Sequence, residues 1–184
     1  MAKCELKIGG LGGQGVILMG IIIGKAVSIY DGGNATLTQS FGPEARGSAC
    51  SAQLVLDDEA VLYPYVSHPN VMVLMSQESY NKFAPELTGD GIMLIEEDLV
   101  HPDPQPNGAR IFAIPSTRMA EQLGRKLIQN IVMVGFFTAV TGLVTEKAAR
   151  EAVKSSVPAG TEELNLKAFE AGLQHGKQLV AQQA

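Results

Sequence analysis

Five glycines fall within seven positions near the start of the chain: Gly9-Gly10-Leu11-Gly12-Gly13-Gln14-Gly15. They follow the alternating stretch Cys4 to Ile8 and precede an apolar-rich run from Gln14 to Tyr30, so the pattern reads strand, tight turn, helix. Gly10, Gly12 and Gly15 match G-x-G-x-x-G in the context that motif requires. The first amides of a helix have no intrahelical partner and its dipole favours an anion there, while glycines let a phosphate approach the main chain. The competing reading is a turn that only packs against a neighbouring strand or subunit. A Walker loop is excluded, because Gly15 is followed by Val16-Ile17 where that loop needs Lys and Ser or Thr. A nicotinamide site wants an acid at the end of the second strand, about 20 residues further on. The strand Ala35–Gln39 supplies no acid, and no arginine for a 2′-phosphate. A self-contained Rossmann-type NAD(P) oxidoreductase, with Gln39 as an unusual ribose contact, is the alternative reading.

Further strands are expected at Ala49–Leu56, Val71–Met75, Ile92–Ile95 and Ile111–Ile114. Asp57-Asp58 reads as a hairpin turn, with Glu59–Leu62 as the return strand. Ser76 reads as a helix N-cap with Glu78 in the first turn. Helices are expected over 116–124, from Ile128, over 145–154 and over 164–181, and Pro102, Pro104 and Pro106 mark a rigid loop. Strands alternating with helices imply a three-layer α/β fold. Its open, mostly parallel Rossmann-like sheet has helices on both faces and an added β-hairpin.

A chain of 184 residues suits one domain, 1–184, with one core. The apolar fraction is 46%, with a mean hydropathy of +0.12, which leaves room for a large partner surface. A net charge of −5 without a basic run speaks against nucleic acid and against anionic membranes. The apolar stretch Ile128–Val144, broken by Gly135, Thr138, Thr141 and Gly142, is short for a membrane span and reads as a buried helix. The sequence leaves open whether the isolated chain pairs with itself as a homodimer through that helix. MAKCELKIGG has no basic-then-apolar leader, so a cytoplasmic location is expected. Cys4 and Cys50 are too few for an iron–sulfur cluster or a cysteine zinc site.

The stretch Thr38-Gln39-Ser40-Phe41-Gly42-Pro43-Glu44-Ala45-Arg46-Gly47-Ser48 belongs at a strand end, where open α/β sheets bind ligands. Arg46 is suited to clamp a phosphate or carboxylate and Glu44 to orient it. An internal Glu44–Arg46 surface pair is an equally good reading of the chemistry alone.

Together, GLGGQG and TQSFGPEARG resemble the gamma subunit of the 2-oxoacid:ferredoxin oxidoreductases, in wording nearest the 2-oxoglutarate branch. The likeness continues through DDEAVLYPYV, the helix beginning Gln129-Asn130, and VPAGTEELNLKAFEAG, and so covers nearly the whole chain. The resemblance implies a subunit, inactive alone, of an enzyme that decarboxylates a 2-oxoacid oxidatively and passes the acyl group to coenzyme A. It implies alpha and beta subunits carrying thiamine diphosphate and [4Fe–4S] clusters, with ferredoxin as electron acceptor. Matched by motif, Gly10, Gly12, Gly13, Gln14 and Gly15 would face coenzyme A, and Ser40, Glu44, Arg46 and Gly47 would form the second wall. No catalytic or metal-binding residue is implied in this chain. The segment Arg46-Gly47-Ser48-Ala49-Cys50 departs from the serine-rich strand of many relatives, which weakens the case for Ser48 and Cys50.

His68, His101 and His175 lack the spacing of a metal site or triad. Glu96-Glu97-Asp98 reads as a solvated strand end. Met72, Met75 and Met93 read as core filler.

Overall fold

The computed structural model describes residues 3–41, 49–106 and 108–183, save the Gln183 side chain. Its elements run β1 (Cys4–Leu11), α1 (Val16–Lys25), β2 (Asn34–Ser40), β3 (Ala49–Asp57), β4 (Val71–Leu74), α2 (Gln77–Phe83), β5 (Ile92–Glu96) and β6 (Arg110–Ile114). The helices α3 (Ser116–Gln122), α4 (Gln129–Thr141), α5 (Glu146–Lys154) and α6 (Glu162–Gln183) complete the chain. A π-helical turn, Ala26–Tyr30, prolongs α1.

The six strands form one sheet in the order β2-β3-β1-β4-β5-β6. β1, β4, β5 and β6 pair in parallel, whereas β3 is antiparallel to both β1 and β2. The expected hairpin pairing therefore exists, but it joins β2 to β3. No strand forms at Glu59–Leu62. The reason is pairing capacity: β1 occupies one edge of β3 and β2 the other, so no ladder remains for a return strand.

The parallel strands bury both faces. Leu6, Ile8, Val73, Leu94 and Ile114 pack beneath α1, α3, α4, α5 and α6, while Met72, Leu74, Met93 and Ile95 pack on Tyr80 and Phe83 of α2. Met72, Met75 and Met93 are core residues, as the sequence suggests. α4 is buried from Gln129 through Thr138 against the rest of this chain, which accounts for most of its apolar surface. It crosses α6 through Gly135 and Gly172. A Cβ on Gly172 would collide with the Val132 carbonyl, and one on Gly135 with the Phe169 carbonyl. Among the described residues no helix is long and apolar enough to cross a membrane.

Ser76 caps α2: its hydroxyl accepts the Ser79 N–H, and the Ser79 hydroxyl accepts the Ser76 N–H. Thr145 caps α5 and is itself held by both oxygens of Asp31.

Candidate functional site

Strand order reverses between β1 and β4: β1 leads through α1 to one side, and β4 leads through α2 to the other. The glycine turn sits at this switch point, at the carboxyl ends of the parallel strands, where open α/β sheets hold ligands. Gly15 is the N-cap of α1, with φ 76°, a left-handed conformation that glycine adopts without strain, and among the described residues no side chain caps the helix. Gly13 has φ 100°, and a Cβ there would meet nothing within 4 Å. Among the described residues the turn is thus open on its outer side.

On its inner side the turn is tied down. Gln14 Oε1 accepts the Leu11 N–H at 2.7 Å, and Gln14 Nε2 donates to the Met75 carbonyl at 2.8 Å. Only one orientation of the amide satisfies both partners, so the assignment of its oxygen and nitrogen follows from the network. Gln14, expected to face a cofactor, spends both its polar groups bracing the loop across the switch point. Asn130, in the first turn of α4, donates from Nδ2 to the Gly15 carbonyl at 3.3 Å.

Register fixes the second wall's anchors. Ser51 of β3 lies opposite Ser40 on one side and Gly9 on the other, and Ala49 lies opposite Leu11. Ser40, the exposed Phe41 and Ala49 therefore stand at the sheet end that carries the glycine turn. Glu78 Oε1 accepts the Ala49 N–H at 3.1 Å and ties β3 to α2. The expected site residues Glu44, Arg46 and Gly47, with Ser48, lie outside the described residues. The intercalated β3 also separates β2 from β1 by one strand. In a dinucleotide-binding sheet those two are neighbours, so a ribose contact from the end of β2, as the alternative NAD(P) reading needs, would have to span an extra strand spacing of about 4.8 Å.

Of the acids at the end of β5, Glu96 departs from expectation, while Glu97 and Asp98 are exposed as expected. Glu96 is fully buried. Its Oε2 accepts the N–H groups of Asp98 and Leu99, each at 2.8 Å, and its Oε1 accepts the Thr117 N–H at 3.0 Å. A carboxylate can be buried when several N–H groups replace its water shell, which is what the turn after β5 and the start of α3 provide. Glu97 and Asp98 remain outside, paired with Arg118.

The remaining side chains offer little chemistry. Cys4 and Cys50 are free and buried, and they lie at opposite ends of the β1–β3 ladder. Burial, helped by the nearby Glu5 charge, pushes the Cys4 thiol up to about 12, and burial also raises Cys50, so neither is poised as a thiolate. His68 and His101 engage through backbone N–H groups with Glu5 and Gln77, and the His175 ring lies 5.8 Å from that of Phe136. Among the described residues no three of His, Cys, Asp or Glu gather as a metal site.

An open α/β sheet wound in both directions from a glycine turn defines the class: this is a Rossmann-like domain. The chain belongs to the pyruvate ferredoxin/flavodoxin oxidoreductase family, whose model matches residues 5–175, and it is a gamma-type oxidoreductase subunit. It is 41% identical over 177 residues to the 2-oxoglutarate synthase subunit KorC of Methanocaldococcus jannaschii, covering 95% of each chain. Its structure resembles that of the keto/oxoacid ferredoxin oxidoreductase gamma subunit from Geobacter sulfurreducens PCA, with a TM-score of 0.86, 35% identity, and coverage of 96% of this chain and 97% of that one. The fold also matches part of the 2-oxoglutarate:ferredoxin oxidoreductase from Magnetococcus marinus, solved with 2-oxoglutarate, coenzyme A and succinyl-CoA bound. There the TM-score is 0.87 at 19% identity, over 97% of this chain and 32% of that one.

Proposed function

We propose that this chain is the gamma subunit of a 2-oxoglutarate:ferredoxin oxidoreductase and helps receive coenzyme A, the acyl acceptor of the complex. The observation that carries the reading is the glycine turn itself. It is braced from within by Gln14, and among the described residues it is open on its outer side at Gly13 and ends on an α1 N-terminus that no side chain caps. Such a turn suits a phosphate, and coenzyme A carries several. Gly10, Gly12, Gly13 and Gly15 supply this wall, with Gln14 as its brace. Ser40, Glu44, Arg46 and Gly47 are proposed for the other, Arg46 as the charged clamp. KorC relatives matched over nearly their whole length support the 2-oxoglutarate assignment, and coenzyme A in the Magnetococcus enzyme supports the ligand.

On this reading the alpha and beta subunits hold thiamine diphosphate and the [4Fe–4S] clusters, ferredoxin takes the electrons, and the isolated chain is inactive. The test is reconstitution of the complex with and without this subunit. Coenzyme A-dependent reduction of ferredoxin should require it, and Arg46→Ala should raise the apparent KM for coenzyme A about ten-fold or more. Full activity without the chain would refute the assignment, and an unchanged KM would remove Arg46 from the site.

A further inference from the structure

We propose that Asn130 is a positioning residue that holds the glycine turn in the geometry that receives a phosphate, an inference that rests on the coenzyme A reading above. Asn130 is 3% exposed and reaches the turn from α4, 115 residues downstream. Its side chain lies flat against Gly15: a Cβ built there would sit 2.5 Å from Asn130 Nδ2, 2.6 Å from its Cγ and 3.0 Å from its Cβ. Gly15 is thus confined twice, by its left-handed backbone and by the amide pressed against its Cα.

The consequence follows from the planarity of the peptide. The Gly15 carbonyl and the Val16 N–H belong to one rigid unit and point in opposite directions. The carbonyl accepts the Met19 N–H of α1 at 2.9 Å and the Asn130 Nδ2 at 3.3 Å. With the carbonyl held from two sides, the Val16 N–H is directed outward from the helix start, where it has no intrahelical acceptor. Gln14 fixes the strand end of the turn, and Asn130 fixes the helix end. Without Asn130 the Gly15 carbonyl keeps only the Met19 N–H, so glycine's wide range of backbone angles is less restricted and the amide's aim less fixed.

The experiment uses the assembled complex carrying Asn130→Asp or Asn130→Ala, with coenzyme A and phosphate-free pantetheine as alternative acyl acceptors. Asn130→Asp keeps the shape, removes the donor and sets a negative charge beside the turn. Both variants should raise the apparent KM for coenzyme A about ten-fold. They should leave kcat at saturating acceptor, the KM for the 2-oxoacid and the KM for pantetheine unchanged. A general loosening of the fold would shift both acceptors alike, and that result would overturn the proposal, as would an unchanged preference for coenzyme A. A complex that assembles with neither variant would mark Asn130 as a folding element and equally overturn it. If the wild-type complex itself does not prefer coenzyme A over pantetheine, the coenzyme A reading fails. If the wild type discriminates and the variants still do, only the role of Asn130 falls.

Discussion

The Gln14 amide joins the end of β1 to the end of β4 by donating to the Met75 carbonyl at 2.8 Å, so one side chain spans the point where the winding of the sheet reverses. Its oxygen simultaneously holds the Leu11 N–H. The glycine turn is therefore a fixed part of the sheet edge, although it is built from residues with almost no side chains.

Gln14→Glu keeps the acceptor for Leu11 but sets an oxygen against the Met75 carbonyl. It should lower the stability of the isolated chain by about 1–3 kcal/mol in urea denaturation at neutral pH. Gln14→Ala removes both bonds and should cost at least as much. Unfolding midpoints equal to wild type in both variants would show that the brace carries no load.

Glu96→Ala should be among the more damaging single changes in the chain. It leaves the N–H groups of Asp98, Leu99 and Thr117 without the carboxylate that now serves all three, and the Thr117 N–H loses its acceptor in a buried position. The expected cost is about 3–5 kcal/mol, read from equilibrium denaturation. Glu96→Gln, which keeps one acceptor oxygen, should cost distinctly less. A loss under about 1 kcal/mol for the alanine variant would mean that water replaces the carboxylate freely.

Glu5 predicts a pH dependence. Burial pushes its carboxyl up, but the His68 amide, the Lys3 ammonium and the Ser67 amide together pull it below the usual 4.5. A carboxyl depressed in the folded state contributes stability that is complete above its unfolded value and fades as pH falls through the folded one. Wild type should therefore exceed Glu5→Gln in stability at about pH 7, and the gap should narrow steadily below about pH 4.5. Denaturation midpoints measured for both proteins across that range decide the matter, and a gap independent of pH would exclude ionisation as its source.

The strand–turn–helix at the glycine cluster, the buried apolar strands and the Ser76 cap were legible because each depends on neighbours a few residues apart. Side-chain alternation, glycine spacing and capping chemistry are local physics, and they define the Rossmann-like class and the position of the loop. Tertiary structure decided the rest. The Asp57-Asp58 signal does end a strand, but whether a hairpin follows depends on free pairing edges, and β1 and β2 had taken both edges of β3. The acid run at the end of β5 looks like a surface feature until the fold brings Thr117 onto Glu96. Asn130 could be noticed as a polar residue opening an apolar helix, yet nothing local indicates that it meets Gly15. Local sequence determines which segments form and where an anion-friendly turn stands. Only long-range packing determines which side chains aim that turn, because those partners become neighbours when the chain is already folded.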